Sequence, residues 1–205
     1  QQWRAIQVEG AERARTQAAW ILSGALDWAR LILREDARTG GADHLGEPWA
    51  VPLAEARLSS FLAADRDNNS AAEDDSIEAF LSGSITDAQT RWNLRRLIDA
   101  QGKVVPAQLR VLQRLCEQAG LPGDTADRIA LALGKAWAPA TAPTAGAGSD
   151  AAIAPHRLAE LAWLGIDDDT IRRIEPWVIV LSGTDVRVNV NTAPAEVIAA
   201  AVDGM

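Results

Sequence analysis

The sequence has few of the residues that usually carry covalent or metal chemistry. Its 205 residues include one cysteine, Cys116, and two histidines, His44 and His156. A single cysteine excludes an intrachain disulfide, and neither histidine stands in metal-ligand spacing with a second ligand. We therefore expect Cys116 to be a buried structural thiol. We expect both histidines to be ordinary surface or capping residues.

The sequence motifs of the common enzyme classes are absent as well. The chain has no nucleophile elbow, no zinc-binding H-E-x-x-H, no phosphate-binding P-loop and no dinucleotide-binding glycine motif. Its serines, such as Ser59, Ser60 and Ser82, have no base placed by local spacing. The sequence therefore predicts a protein that is not an enzyme.

Positive charge and long apolar runs are also scarce. With 20 basic and 28 acidic residues the net charge is −8. Such a charge repels phosphate backbones and anionic lipid, so nucleic acid is not expected as a partner. No stretch approaches the roughly 20 apolar residues that a membrane-spanning helix needs. Because the chain begins at Gln1 rather than Met, we expect that a targeting or anchor segment has been removed.

The N-terminal part is predicted to be one long helix. Between residues 3 and 36, apolar residues follow a spacing of 3.6 and no proline interrupts them. The first two turns are polar and weakly patterned, which is typical of a helix that projects beyond its domain. The rest of the apolar stripe is interpreted as intradomain core, with these residues as its main members: Trp20, Ile21, Ala25, Trp28 and Ile32.

Two strands are predicted on either side of an acidic loop. Residues 49–62 fit either a helix or an edge strand, because Pro52 argues against a central strand. Residues 64–76 form the polar acidic loop, and a strand pattern follows from Ile77 through Asp87. Together these segments predict an antiparallel hairpin.

Helical spacing returns at Pro106. Residues 106–120 and 124–137 predict two helices, and two further short helices are predicted within 156–181. Residues 138–151 form an Ala/Pro/Thr/Gly linker. Near the C-terminus, Val186, Val188 and Val190 alternate as in a strand.

That alternating segment runs into the start of a helix. Asn191 or Thr192 is predicted to cap this helix, Pro194 to lie in its first turn and Asp203-Gly204 to end it. The chain is expected to continue beyond this point, because a capped helix that finishes on a turn usually precedes another element.

The predicted fold class is α+β, with a long N-terminal helix packed on a small antiparallel sheet and a large all-helical inserted domain. Residues 1–104 would form the domain of the helix and the sheet, and residues 105–182 the inserted domain. Residues 183–205 would be the returning strand and the start of a helix.

Two acidic clusters are candidates for a hard cation. Asp65, Asp67 and Asn69 match the first alternating ligands of a calcium loop, but Ser70 and Ser76 replace its glycine and bidentate glutamate. A solvated loop is the competing interpretation, and calcium is the one cofactor that the sequence suggests. In the second cluster, 167–169, Asp168 or Asp169 is interpreted as a helix cap.

The C-terminal segment 156–204 has helix–hairpin–helix character, with a glycine hairpin at 164–166. Such units bind duplex phosphates through hairpin amides. However, three aspartates lie beside the hairpin glycine, where a phosphate would have to approach. A nucleic-acid-binding module is therefore the alternative function rather than the first.

Several segments together resemble the K subunit, the large minor pseudopilin of the bacterial type II (general) secretion pathway. The matching pieces, in chain order, are DWARLILRED, DHLGEPWAVPL, GSITDAQTRWNLRRLID, LAELAWLGID and VRVNVNTAPAEVIAAA. Their order covers nearly the whole chain. Two departures stand out: KAW replaces an Asp-Trp followed by more acids after the second insertion helix, and the family continues past VNVNTAP.

The resemblance implies a pilin-like fold in an inner-membrane protein whose soluble part lies in the periplasm. It implies an N-terminal membrane anchor, exposed by cleavage of a prepilin leader. It also implies a complex with two smaller minor pseudopilins, the I and J subunits, at the pseudopilus tip, which would prime or cap filament assembly. The major pseudopilin is a further partner that it suggests. Relatives bind calcium, but the loss of the acids puts calcium in doubt here. The residues expected to contact partners lie in the projecting turns of the helix: Trp3, Ile6, Val8 and Ala11.

Overall fold

The structure of the chain, a computed structural model, describes residues 2–57, 80–137 and 153–202. The chain divides into two compact units, Gln1–Thr86 and Asp87–Met205. We call them unit 1 and unit 2 and describe each by itself.

The boundary between the units lies before the boundary that the sequence suggested at 104/105. Residues 88–104 belong to unit 2, where Trp92, Leu94 and Leu97 are fully buried in its core. The division of the protein into a pilin-like domain and an inserted domain stays a prediction. The acidic loop 64–76 with the candidate calcium ligands Asp65, Asp67 and Asn69, the linker 138–151 and the predicted stop at 203–204 lie outside the described residues.

Unit 1 begins with one long helix, α1, which spans Gln2–Thr39 and confirms the predicted helix 3–36. Its exposed face carries ion pairs one turn apart, such as Arg13 with Glu9 and Arg30 with Asp27. The chain leaves α1 through Gly40 at a positive φ of 69°. Within the described residues, no helix combines the length and the apolar character that crossing a bilayer requires.

The sheet of unit 1 is an antiparallel pair, as predicted. A 3-10 helix at Pro48–Ala50 leads into β1, Leu53–Arg57, which pairs with β2, Phe80–Gly83. The expected continuation of the second strand through Asp87 is wrong, because β2 ends at Gly83. Asp87 instead caps a 3-10 helix at Ala88–Thr90, where its carboxylate accepts from the Gln89 amide at 2.8 Å.

The core of unit 2 lies among short helices. The predicted helices are present as α2, Pro106–Gln118, and α3, Thr125–Ala136. Pro106 opens α2, where its missing N–H has no helical partner to lose. Apolar residues three and four apart on both helices are buried against each other, including Leu112, Leu115, Ile129 and Leu133.

Of the two helices predicted in the segment 156–181, the second is shorter in the structure than expected. Residues Leu158–Leu164 form a 3-10 helix, and α4 covers Asp168–Ile174. The expectation of helix beyond Ile174 is wrong. There Val178–Ile179 forms β4, which pairs in parallel with β3, Trp92–Asn93. The sequence did not reveal this strand, because the short apolar run 177–181 after Pro176 fits a helix or a strand equally well.

The predicted strand at 186–190 is also wrong. Its backbone runs as a loop with no ladder, and only the Asn189 amide makes a backbone bond there to a distant segment, to Gln89 O at 3.0 Å. The helix that follows, α5, spans Ala195–Ala201, so Pro194 is its N-cap rather than part of its first turn. Thr192 does not cap the helix, because its hydroxyl donates to Asp87 at 2.7 Å.

Candidate interaction surface

The predicted partner-contact residues lie in the N-terminal turns of α1, and those whose side chains the structure describes are exposed to solvent. Trp3 is 70% exposed and Val8 62%, and Ala11 is exposed. Val8 and Ala11 are three residues apart and share one side of the helix, whereas Trp3 lies off that side. Ile6 lies in the same helix, but its side chain is outside what the structure describes. Their role in binding stays a prediction.

Farther along α1, the expected core is only partly formed. Ile21, Ala25 and Ile32 are half-buried, as a core face requires, but Trp20 is 75% exposed and Trp28 41%. The interpretation of Trp20 as an intradomain core residue is wrong. Periodicity alone could not show this, because an apolar residue on a helix looks the same whether it faces its own sheet or a partner.

Trp20 belongs to a second apolar face of α1. At 3.6 residues per turn, Trp20 and Leu31 lie within about 20° of each other around the helix and roughly opposite its half-buried face. Leu31 is 55% exposed. Gly24 lies near this face between them, and a Cβ built there would meet no atom within 4 Å. We call Trp20, Gly24 and Leu31 the outer face of α1.

On its inner side, α1 borders an apolar groove of about 340 Å³. The helix contributes residues such as Leu22 and Ile32, and the rest of unit 1 contributes Trp49, Leu53 and Leu81. Trp49 is 5% exposed, and its indole N–H donates to Glu47 at 2.7 Å, which fixes its position in the lining. The groove is thus a shaped apolar surface rather than a site of titratable groups.

The carboxylates of Asp36, Asp43 and Glu47 lie close together near this groove, with oxygens within 4.8 Å of one another. Desolvation first, and the charges of Glu47 and Asp43 second, raise the pKa of Asp36. Hydrogen bonds from the His44 amide and from Trp49 lower the pKa of Glu47. Because Glu47 already accepts these two donors, the cluster is explained by its role in holding the loop 43–49.

In unit 2, Asp87 takes part in several hydrogen bonds. Its carboxylate accepts from the Gln89 amide, from Asn189 Nδ2 at 3.0 Å and from the Thr192 hydroxyl at 2.7 Å. The bonds from Asn189 and Thr192 span more than 100 residues of sequence, and they tie VNVNTAP to the segment 87–90. Sequence reasoning missed this link, since neither segment alone predicts the other as its partner.

Asn93 makes a second long-range link. Its side chain is 2% exposed. It donates to Gly183 O at 2.6 Å and accepts from the Leu181 amide at 3.0 Å and the Arg95 amide at 3.1 Å. A buried amide whose nitrogen and oxygen are both hydrogen-bonded is a structural residue. In the sequence, the buried role of Asn93 was indicated only by its position between two apolar residues, Trp92 and Leu94.

The residues with potential reactivity have structural roles. Cys116 is 3% exposed and burial raises its pKa to about 11, which confirms the predicted buried thiol. His44 accepts from the Gly46 amide through Nδ1. Across the described ranges, neither histidine hydrogen-bonds to a serine, threonine or cysteine side chain, so no nucleophile–base pair is formed there.

At the predicted glycine hairpin, Gly165 has φ 81° and separates the 3-10 helix from α4. The residue that caps α4 is Asp167, which accepts from the Thr170 amide at 2.8 Å, and not the predicted Asp168 or Asp169. The hydrogen bond from the Thr170 amide is the largest of the effects that lower the pKa of Asp167. Asp168 and Asp169 are exposed in the first turn of α4. Three negative charges at the hairpin do not favour the nucleic-acid alternative.

Residues 90–183 match the family model described as Type II secretion system (T2SS), protein K. The chain is also 28% identical over 199 residues to the type II secretion system protein K of Pectobacterium carotovorum subsp. carotovorum. The resemblance to the protein K family is confirmed. This alignment takes in 87% of the chain but 55% of that relative, so the chain spans about half the relative's length.

The fold is similar to that of a chain in the crystal structure of the GspK-GspI-GspJ complex from the enterotoxigenic Escherichia coli type 2 secretion system. The TM-score is 0.67 at 20% identity, covering 93% of this chain and 68% of that one. This likeness confirms the expected pilin-like α+β fold with a helical domain. In that fold α1 is the N-terminal rod, and unit 2 contains the matched protein K segment.

Proposed function

We propose that this chain is the periplasmic part of a non-enzymatic minor pseudopilin, held at the inner membrane by an N-terminal anchor. Its partners would be two smaller minor pseudopilins, the I and J subunits, with the major pseudopilin as a further contact. In this role it caps or primes the tip of the type II secretion pseudopilus for protein export. The family resemblance supports the class of protein, and the pilin-like fold supports the mode of assembly.

The observation that carries the proposal is the outer face of α1. Trp20 and Leu31 are large apolar residues, 75% and 55% exposed, on the side of the helix away from its half-buried face. Apolar stripes on long helices are usually buried against another element. A rod-shaped subunit would bury this stripe against the helix of a neighbouring pilin-like subunit, at about 25 cal/mol per Å² before ordering costs. The predicted contact residues Trp3, Ile6, Val8 and Ala11 would extend the interface toward the membrane.

The test is co-expression with the I and J subunits followed by size-exclusion chromatography with light scattering. The unaltered chain should elute as a stoichiometric complex. The double variant W20S/L31S should lose the complex, because it removes the apolar contact without touching a buried side chain.

A matched control lies in unit 2. Trp163 is 63% exposed and Leu131 62%. The variant W163S/L131S removes the same two residue types at similar exposure and should leave the complex intact. Absence of a complex with the unaltered chain, or equal loss in both variants, would contradict the proposal. A variant W3S/V8S tests the projecting turns in the same assay.

A further inference from the structure

The charged residues of α1 are unevenly placed along the helix. Residues 7–39 hold five acidic and five basic side chains, but none of these lies between Thr16 and Leu26. This stretch of eleven residues is helical throughout and measures about three turns, or about 16 Å. We call residues 16–26 the neutral segment of α1.

The charges on either side of the neutral segment are paired along the helix itself. The ion pairs of α1 join residues three or four apart: Glu9 with Arg13, Glu12 with Arg15, Asp27 with Arg30 and Glu35 with Arg38. The second and third of these pairs border the neutral segment. Each pair is neutral as a whole, so the adjoining turns of α1 offer a partner no surplus charge of either sign.

The neutral segment is also exposed around most of its circumference. Nine of its eleven residues are exposed, and only Ile21 and Ala25, on the inner side, are half-buried. Trp20 belongs to the outer face, and Leu22 and Leu26, at the edge of the inner groove, are each still 58% exposed. Large apolar side chains in such positions are characteristic of a surface that another protein covers.

The exposed side of the neutral segment has a shape that suits a helix. Leu22 and Leu26 form a ridge one turn long, and Trp20 lies about 120° farther round the helix than Leu26. The smaller side chains of Ala19 and Ser23 lie between them and form a shallow depression. Ridges of side chains on one helix pack into such depressions on another, at interaxial distances of about 8–10 Å.

The charge pattern restricts what the partner can present to this depression. Removing a charged group from water is unfavourable unless an opposite charge compensates for the lost hydration. The neutral segment supplies no such charge, and the charges beside it are already paired within α1. The surface complementary to residues 16–26 is therefore an uncharged one, which disfavours an acidic or a basic peptide as the occupant.

We propose that an α-helix of a neighbouring pilin-like subunit crosses α1 at the neutral segment and meets it with an uncharged face. Recognition at this crossing depends on shape and on apolar burial, not on ion pairs between the subunits. The inference rests on the proposed function, from which it takes the neighbouring subunit. It adds the turns of α1 at which the partner helix crosses and the chemistry of the side chains that this helix presents.

The first test introduces one charge by the same substitution at two places on α1. Ala19→Glu places a carboxylate in the neutral segment, whereas the control Ala37→Glu lies on the same side of the helix about 27 Å farther along. Both positions are exposed, and circular dichroism checks that both variants keep their helix content. The probe is the co-purified pair of I and J subunits, immobilised and titrated with the whole chain. Ala19→Glu should weaken binding at least about tenfold, and Ala37→Glu by less than about twofold.

Two further variants at position 19 separate charge from size and from sign. Ala19→Gln has the size of the glutamate variant without its charge and should bind more tightly than Ala19→Glu. Ala19→Lys should weaken binding as much as Ala19→Glu does, because an uncharged partner face compensates neither sign. Tighter binding by one of the two charged variants than by the unaltered chain would show a charged partner face and would overturn the proposal. If Ala19→Glu loses helix content, Ser23→Glu replaces it, since Ser23 is exposed as well.

The salt dependence of binding gives an independent readout. Raising sodium chloride from about 50 to about 500 mM should change the affinity of the unaltered chain by less than about twofold, because salt screens exposed ion pairs and leaves apolar contacts in place. A steep loss of affinity, or equal weakening by Ala19→Glu and Ala37→Glu, would overturn this inference while the complex itself still supported the proposed function. If the unaltered chain bound neither subunit, both the proposed function and this inference would be contradicted.

Two controls identify the other possible occupants of the neutral segment. Light scattering of the free chain detects a second copy of this chain, and co-sedimentation with vesicles of phosphatidylglycerol detects a lipid surface. The proposal predicts neither self-association nor vesicle binding. Either one, if Ala19→Glu abolished it and Ala37→Glu did not, would assign the neutral segment to that occupant and overturn the proposal.

Discussion

The two units use their apolar residues in opposite ways. In unit 2, residues such as Leu112, Leu115 and Ile129 are fully buried, and the short helices enclose a continuous core. In unit 1, α1 contains no fully buried side chain among its described residues, although large apolar residues such as Trp20 and Leu31 recur along it.

The difference separates residues that stabilise this chain from residues that are available to another. A core residue contributes to folding whether or not a partner is present. An exposed apolar stripe contributes little to the folding of the free chain and becomes useful when a second surface covers it. Unit 2 is therefore the unit whose stability can be assigned from its own contacts. The stability of α1 should depend on assembly.

The strongest test of this contrast exchanges leucine for alanine in each unit. Leu115→Ala removes a side chain with no exposed surface and should lower the free energy of unfolding of unit 2 by about 2–5 kcal/mol. Leu31→Ala, at a site 55% exposed, should change stability by less than about 0.5 kcal/mol in the free chain. Amide hydrogen exchange in α2 and α1 measures the two effects separately. Similar costs at both sites would refute the contrast.

A buried hydrogen-bond network gives the next largest effect. Asn93→Ala leaves the Leu181 amide and Gly183 carbonyl without their partner, and should destabilise unit 2 by on the order of 3 kcal/mol. Hydrogen exchange in α2 again provides the measurement. The exposed residue Gln118, on the same helix, supplies the control, since Gln118→Ala should be nearly neutral. If Asn93→Ala is equally neutral, the loop 181–183 is held by packing rather than by this side chain.

These residues also show what the sequence could reveal. Repeated apolar spacing over many residues predicted α1, α2 and α3, because a long amphipathic helix leaves a redundant pattern. The hairpin β1–β2 was predictable from two strand patterns on either side of a polar acidic segment. In contrast, β3 and β4 are two residues each, and they pair across more than 80 residues of sequence. A pattern of period two cannot be recognised in so short a run.

The candidate surface was predictable in part for a similar reason. The projecting turns with Trp3 and Val8 stood out because their pattern was weak. The outer face of α1 did not, because Trp20 fits the helical period of a core residue. The position of the loop 183–190 was hidden as well, because its valines fit the alternation of a strand. Long-range hydrogen bonds from Asn189 and Asn93 decide that placement.

Two glycines give the smallest effects and the sharpest distinction between the units. Gly165→Ala should destabilise unit 2 by about 1–2 kcal/mol, because Gly165 has φ 81° and a Cβ is strained there. Gly24→Ala should stabilise α1 of the free chain by about 1 kcal/mol, since a Cβ added at this helical position meets no atom within 4 Å. Thermal unfolding followed by far-ultraviolet circular dichroism shows both signs.

Gly24→Ala further separates folding from assembly. If a partner helix packs on the outer face of α1, the added methyl group fills the space between Trp20 and Leu31 and should weaken the complex with the I and J subunits, although the free chain becomes more stable. Opposite changes in stability and binding cannot both come from a general effect on α1. Unchanged binding together with a more stable helix would place the partner elsewhere on α1, toward the turns that contain Trp3 and Val8.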